Sequence, residues 1–357
     1  MKKNKLIKDY PLSDTNIWED KSTNLKLDWN ESDEKIPDKF LKEAFDVYRK
    51  ERNNWYPNPK NQKLLKTIKD YTKTNIENIF YSNGSDTVHE YILTTLINEG
   101  DNVLILSPNY DQFRKAAHLN KASIKFFNFL NNKSSINWLE INSYILKNKP
   151  KLVYLSNPNN PTGLVFDKIK LSQLIGKHKK TFFLVDEAYG EFTNHSVLKY
   201  INKHKNLIIT KSLSKAFGAA SIRFGYIIAN KKTIDLYKKV ANAKNTTLFS
   251  QILANILIKN RKYIKKRITI INKNKQIIYK ELLRLKLLFF NSECNFILIN
   301  FENSKRKKKI LHIFKNESIF IRDMSHISGY KNYARITIGS SNKFNKLINL
   351  LKKLKDI

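Results

Sequence analysis

Lys215 stands among small hydroxyls in Ser212-Leu213-Ser214-Lys215-Ala216-Phe217-Gly218, and Arg223 follows eight residues later. An amine with a guanidinium at this spacing is what a site needs to hold a phosphorylated aldehyde as a covalent imine. The lysine supplies the nucleophile and the arginine the counter-charge for the phosphate. The pair carries little weight alone, because most lysines of a lysine-rich chain sit in solvent. Four other segments add to it.

Ser82-Asn83-Gly84-Ser85-Asp86 precedes a helix that begins near Thr87. Such a turn offers backbone N–H groups and the positive end of a helix dipole to a phosphate; an ordinary N-cap is the plainer alternative. Ser107-Pro108-Asn109-Tyr110 supplies an aromatic ring that either stacks on a flat heteroaromatic ligand or joins the core. Ser156-Asn157-Pro158-Asn159-Asn160-Pro161-Thr162-Gly163 carries two prolines and a glycine, which set a tight loop able to aim Asn160 at a ligand oxygen. Asp186-Glu187-Ala188-Tyr189 puts an acid at the end of an apolar run, where a carboxylate needs a cation or donors. A protonated ring nitrogen meets that need, and so does a lysine or arginine of the protein. A phosphate turn, a ring to stack, an amide, a buried acid and a lysine with an arginine together match one ligand, pyridoxal 5′-phosphate.

Each of these segments follows a short apolar run, as residues at the carboxyl ends of strands in an open α/β sheet would. The runs are Ile79-Phe80-Tyr81, Val103 to Leu106, Ile124 to Phe127, Leu152 to Leu155, Phe182 to Val185, Leu207 to Ile209 and Tyr226 to Ala229. Helical periodicity between most of them, as in Val88 to Ile97 and Leu171 to His178, predicts a mostly parallel sheet with helices on both faces. Continuous apolarity predicts strands buried on both sides. Before the sheet, residues 1 to 35 read as an extended arm with a short strand near Leu25, followed by helices from about Pro37 and Asn61. After it, Leu248 to Leu288 reads as one or two long amphipathic helices. A lobe of alternating strand and helix follows from Phe296 to Ile338. The expected domains are an arm over 1–40 that joins the small domain, a large domain over 41–245 and a small domain over 246–357.

The composition narrows the partners. A formal net charge of +35, from 66 Lys+Arg against 31 Asp+Glu, first suggests nucleic acid or an acidic membrane. The basic residues are scattered, however, and mostly Lys in company with Asn and Ile, which marks a bias of the whole chain. Neither nucleic acid nor membrane is expected as a partner, and attraction of small anionic substrates remains. The single cysteine, Cys294, allows no disulfide framework, and the seven histidines show no metal-ligand spacing, so no metal is expected. The N-terminus lacks the apolar core of a signal peptide and no apolar run approaches membrane-spanning length, which predicts a cytoplasmic protein.

Asn157 to Gly163, Asp186 to Tyr189, and Ser212 to Gly218 with Arg223, in this order, resemble the fold type I pyridoxal-phosphate aminotransferases. The resemblance is strongest to the histidinol-phosphate aminotransferase family and runs from about Leu25 to Ser340. It implies an α/β large domain with a mixed, mostly parallel seven-stranded sheet between helices, and a smaller α+β domain from the N-terminal arm and C-terminal segment. It also implies roles. Lys215 links covalently to the cofactor and then shuttles the substrate proton, and Asp186 pairs with the pyridine nitrogen. Tyr189 and Asn160 bond the cofactor 3′-oxygen, and Tyr110 stacks on the ring. Gly84, Ser85, Asp86, Ser212, Ser214 and Arg223 surround the phosphate. Trp55-Tyr56-Pro57-Asn58-Pro59 is similar to the family's Tyr-Pro-Asp-Pro, which implies a homodimer in which Tyr56 reaches the neighbouring subunit's phosphate. Arg335 holds the amino donor's carboxylate, Arg322 assists with an anionic substrate group, and the arm around Asn30 contributes to acceptor choice.

The chain departs from the family pattern at Asn30-Glu31-Ser32-Asp33, where the family continues Asn-Glu-Asn-Pro. It departs again at Ala219-Ala220-Ser221-Ile222-Arg223, where Leu-Ala-Gly-Leu-Arg is frequent, and Trp55 and Thr87 replace residues more usually charged. The implied reaction moves an amino group between glutamate or a similar donor and a small phosphorylated keto compound. The alternative is decarboxylation of a phosphorylated amino acid on the same cofactor.

Overall fold

The computed structural model describes residues 17, 23–131 and 135–354. Much of the expected arm, and the N-terminal residues read for a signal sequence, lie outside the described residues. Backbone contacts divide the chain into two compact units, Glu34–Thr269 and the paired segments Met1–Asp33 and Ile270–Ile357. The strand β1 (Leu25–Leu27) belongs to the smaller unit.

The larger unit opens with α1 (Asp38–Tyr48) and α2 (Gln62–Thr72), then β2 (Ile79–Ser82), α3 (Gly84–Leu96), β3 (Asn102–Ser107), α4 (Asp111–Leu119) and β4 (Ser123–Asn128). After a small hairpin, β5 (Leu130–Asn131) and β6 (Ser135–Ile136), come α5 (Trp138–Asn148), β7 (Leu152–Ser156), α6 (Lys168–Lys177), β8 (Phe182–Asp186), β9 (Leu207–Ser212), β10 (Gly225–Ala229), α7 (Lys231–Val240), α8 (Leu248–Lys259) and α9 (Arg261–Arg284). Seven strands form one sheet in the order β2-β10-β9-β8-β7-β3-β4. All neighbours are parallel except β10, which is antiparallel to both β2 and β9. Two reversals restore direction, so β2 and β9 run the same way. The carboxyl ends of β2, β3, β7, β8 and β9 therefore share one edge of the sheet.

The central strands β7 to β10 are buried nearly throughout, as a sheet covered on both faces requires. On one face Val88 and Ile92 of α3, Phe113 of α4 and Ile234 of α7 pack against Ile105, Tyr154, Leu184 and Ile208. The expectation of burial on both sides fails for β4. It is an edge strand with Lys125 in its middle, and Phe126 is 52% exposed.

The larger unit extends past residue 245 because α8 is anchored there: Phe249 packs against Phe45 and Tyr48 of α1, with ring centroids 4.9 and 5.9 Å away. The helix break that no glycine or proline marks falls at Asn260. Its side-chain amide donates to Ile256 O at 2.8 Å, closing α8 on its own last turn.

The smaller unit holds the rest of α9, β11 (Leu288–Phe289), β12 (Phe296–Asn300), α10 (Ser304–Asn316), β13 (Ile319–Asp323), β14 (Tyr333–Thr337) and α11 (Asn345–Lys353). Its five-stranded sheet has the order β1-β13-β14-β12-β11, with β1 parallel to β13 and the other pairs antiparallel. No helix among the described residues is long and apolar enough to cross a membrane.

Candidate active site

Asp186 ends β8, buried at 4% exposure, opposite Ser156 of β7 and Thr210 of β9. Oδ1 accepts from the Ala188 N–H at 3.0 Å and the Thr210 hydroxyl at 3.1 Å. Oδ2 accepts from the Tyr154 hydroxyl at 3.2 Å, and His89 Nε2 lies 3.7 Å from it. Burial first, and then Asp186, hold the Tyr154 hydroxyl well above its ordinary pKa, so it stays a donor. Among the described residues no lysine or arginine pairs with this carboxylate, which removes that alternative for its partner. A buried acid held by hydroxyls and an N–H suits a cationic ligand group.

Lys215 sits in the loop after β9, half-buried, with Nζ 5.8 Å from the centroid of the buried Tyr189 ring. The loop is tied down at several points. Leu213 N–H donates to Phe224 O, Ala219 N–H to Leu213 O and Gly218 N–H to Lys215 O, while Arg267 Nη1 reaches Ala216 O at 3.1 Å. Ser212 Oγ takes the Ser214 N–H at 3.1 Å and meets Ser214 Oγ at 3.0 Å.

The turn after β2 is shaped by two glycines. Gly84, at φ +81°, opens α3, and a Cβ there would lie 2.8 Å from Arg223 Nη2. Gly225, opposite both Ser82 and Ser212 in the sheet, has room for no Cβ at all: one would lie 2.7 Å from Gly84 C and Ser85 N. Asn83 makes no side-chain cap, so the first N–H groups of α3 lack the usual internal acceptor. Arg223, itself left-handed at φ +49°, places its guanidinium over this turn, 3.7 Å from Asp86 Oδ2. Backbone N–H groups, a helix N-terminus and a guanidinium are the donor set a phosphate needs.

Ser156 to Leu164 is rigid because its amides bond the backbone around it. Asn157 donates to His195 O at 3.0 Å and accepts from the Phe166 N–H, and Asn159 donates to Pro108 O and accepts from Thr162. Asn160, half-buried, is held by its own N–H on Ser156 Oγ at 3.1 Å. Tyr110, also half-buried, is the N-cap residue of α4, at the end of β3.

A second buried network supports the same edge. Lys211 Nζ lies 3.1 Å from Glu187 Oε2 and 3.3 Å from Glu191 Oε1; Glu187 also accepts from Ser196 Oγ and the Val197 N–H. Burial pulls the Lys211 ammonium down, but Glu191 and Glu187 outweigh it and hold its pKa well above the ordinary value. This triad lies beneath the turn carrying Tyr189, since a Cβ on Gly190 would come within 2.9 Å of Lys211 Nζ. His89, Tyr154, Thr210, Lys211 and Gly225 are absent from the sequence expectations. Their signal is a polar atom inside an apolar segment or directly after it, as Thr210 and Lys211 follow Leu207 to Ile209, and for Gly225 a glycine opening one.

Tyr56 is 78% exposed and Trp55 68%, beside a groove of about 510 Å³ in the larger unit lined by α1, α2 and α8. In the smaller unit Arg322 and Arg335 are buried cross-strand partners, so their guanidiniums share one face of the sheet. Like charges so placed favour an anion. Arg335 Nη2 donates to Asp28 O at 2.7 Å. Asn30, at φ 57°, donates its N–H to Thr337 Oγ1 at 3.0 Å and accepts from Asn295. Asp33, where the chain leaves the pattern of the family it resembles, accepts from the Ser340 and Ser341 N–H groups at 2.8 and 3.0 Å, bracing the loop after β14.

Residues 22–351 match the family described as aminotransferase class I and II, and the chain belongs to it. It is a pyridoxal-phosphate-dependent transaminase of fold type I. It is similar to the dihydroxyacetone phosphate transaminase of Campylobacter jejuni subsp. jejuni, at 36% identity over 92% of this chain and 89% of that one. The histidinol-phosphate aminotransferase of Caldanaerobacter subterraneus subsp. tengcongensis is 32% identical, with 92% of each chain covered. Among solved structures, the histidinol-phosphate aminotransferase of Sinorhizobium meliloti in complex with pyridoxal-5′-phosphate shares the fold, with a TM-score of 0.84 at 20% identity over 92% of this chain and 90% of that one.

Proposed function

We propose that this transaminase moves an amino group between glutamate, or a similar donor, and a small phosphorylated ketone, and works in the cytoplasm as a homodimer. The observation that carries the assignment of roles is Asp186, buried with neutral hydrogen-bond donors and, among the described residues, no lysine or arginine, at the sheet edge that also bears Lys215 and the Gly84–Arg223 turn. Pyridoxal phosphate, when bound, supplies a ring that takes up negative charge from the substrate's α-carbon. Asp186 would keep a proton on the ring nitrogen, and Tyr189 and Asn160 would bond the ring oxygen, with Tyr110 against the ring face. Gly84, Ser85, Asp86, Ser212, Ser214 and Arg223 would enclose the phosphate. Lys215 Nζ would anchor the cofactor and then take up and return the α-proton.

Arg335 and Arg322 are assigned to the substrate's anionic groups, with Asn30 beside them in sequence role. The relatives are named for transamination of phosphorylated compounds, which favours transfer over decarboxylation. The exposed aromatic rings of Tyr56 and Trp55 support pairing with a second copy, in which Tyr56 would reach the partner's phosphate.

The test uses purified holoenzyme. Glutamate is expected to bleach the visible cofactor band and release 2-oxoglutarate, and a phosphorylated ketone such as dihydroxyacetone phosphate to restore it. Release of carbon dioxide alone, from a phosphorylated amino acid, would establish the decarboxylase instead. Lys215→Ala is expected to retain cofactor without turnover; wild-type turnover would refute its role.

A further inference from the structure

His89, on α3, is buried at 1% exposure beside Asp186, and the roles assigned to the reaction leave it unused. Its Nε2 is 3.2 Å from Thr210 Oγ1, and Thr210 Oγ1 is 3.1 Å from Asp186 Oδ1. Its Nδ1 is buried with no hydrogen-bond partner among the described residues, and its ring is edge-on to Phe113 and Tyr154, with centroids 5.7 and 5.5 Å away.

The Thr210 hydroxyl has one proton to give. If it gave that proton to His89, its lone pairs would face an anionic oxygen at 3.1 Å. Nδ1–H would then be an unpaired donor among aromatic rings. An imidazolium would strand the same N–H and add a buried charge. With the proton on Nε2, every contact is attractive: Nε2–H donates to Thr210 Oγ1 and faces Asp186 Oδ2 at 3.7 Å, and Thr210 O–H donates to Asp186 Oδ1, while Nδ1 has no partner in either tautomer among the described residues. The network thus selects the tautomer.

We propose that His89 is a positioning residue, held as the neutral Nε2–H tautomer, that locks the Thr210 hydroxyl onto Asp186 and leaves the Asp186 charge uncompensated for the cofactor's ring N–H. The inference rests on Asp186 being the ring nitrogen's partner. Held this way, His89 brings a dipole and no charge to the Thr210–Asp186 contact. The remaining acceptor capacity of Asp186 is then directed to the ligand.

The test measures tautomer and cofactor retention together. Nuclear magnetic resonance of holoenzyme labelled in its histidine nitrogens is expected to show His89 protonated at Nε2 alone at neutral pH. Protonation at Nδ1, alone or as imidazolium, overturns the proposal. His89→Leu is expected to raise the dissociation constant for pyridoxal phosphate about five- to tenfold, the loss of one relayed hydrogen bond, with His89→Gln restoring it. In a Thr210→Val background the His89→Leu effect is expected to vanish; an effect that persists there overturns the route through Thr210. Should His89→Leu not fold, the tautomer and the His89→Gln retention decide. Asp186→Ala separates the two layers. If it leaves retention unchanged, the ring-nitrogen assignment falls. If it releases the cofactor and a folded His89→Leu does not, only the role of His89 falls.

Discussion

Replacing Lys211 with methionine keeps most of the side chain's volume and removes its charge, leaving Glu187 and Glu191 to share a buried pocket. Lys211 is 5% exposed and makes contacts of 3.1 and 3.3 Å to these carboxylates. Removing one partner of a buried ion pair costs roughly 3 to 5 kcal/mol, because the remaining charge is stranded. Here Glu187 keeps donors from Ser196 and Val197 at 2.7 and 2.8 Å, and Glu191 keeps the Tyr71 hydroxyl at 3.3 Å. The expected loss is therefore near the lower bound, about 3 kcal/mol. For a unit of this size that is a fall of about 6 to 12 °C in melting temperature, readable by calorimetry and by urea titration. The folded ammonium is held above its unfolded value, so its contribution is fully present below about pH 10.4 and is lost only as pH rises through the folded value. The contribution of Lys211 to the wild type should accordingly be undiminished between about pH 7 and about pH 9. Cofactor retention should fall with stability, since the triad supports the turn of Tyr189. A stability change within about 0.5 kcal/mol of zero would refute the reasoning, showing that packing holds this turn without the charges.

Three further outcomes are expected. Gly225→Ala forces a Cβ to 2.7 Å from the backbone of Gly84 and Ser85, so the phosphate turn must move and pyridoxal phosphate should bind at least about tenfold more weakly; unchanged binding would show that the turn is not what holds the phosphate. Arg335→Ala should raise the KM for glutamate more than it lowers kcat, and an unchanged KM would place the carboxylate's partner elsewhere. Burial raises the Asp323 carboxyl, but hydrogen bonds from Lys307 and Ser325 outweigh it and hold its pKa below the ordinary value. Its contribution is therefore present above about pH 3.9 and lost as pH falls through the folded value, so acid titration of Lys307→Met should lose that part of the wild-type's decline.

Much of the larger unit was legible in the chain itself. Each of the seven sheet strands overlaps an apolar run, because strands covered on both faces must be continuously apolar, with β4 at the sheet edge the exception in burial; the polar residues after five of them share one edge of the sheet. Lys215, Asp186 and the Gly84 turn could be named from local pattern and the resemblance it carries. What the chain could not show depends on neighbours distant in sequence. That β4 lies at an edge follows from strand order, and that α8 joins the larger unit follows from Phe249 meeting Phe45. The candidate partners of Asp186 stayed open until β7, β9 and α3 brought Tyr154, Thr210 and His89 to it, since which side chains face each other is set by register and helix packing. Gly225 became legible only when β10 was laid between β2 and β9, so that one missing Cβ makes room for the turn. Residue type and spacing determined the chemistry this protein is equipped for. The fold decided which groups support it, because burial, hydrogen-bond partners and close approach are properties of pairs that the linear chain does not place together.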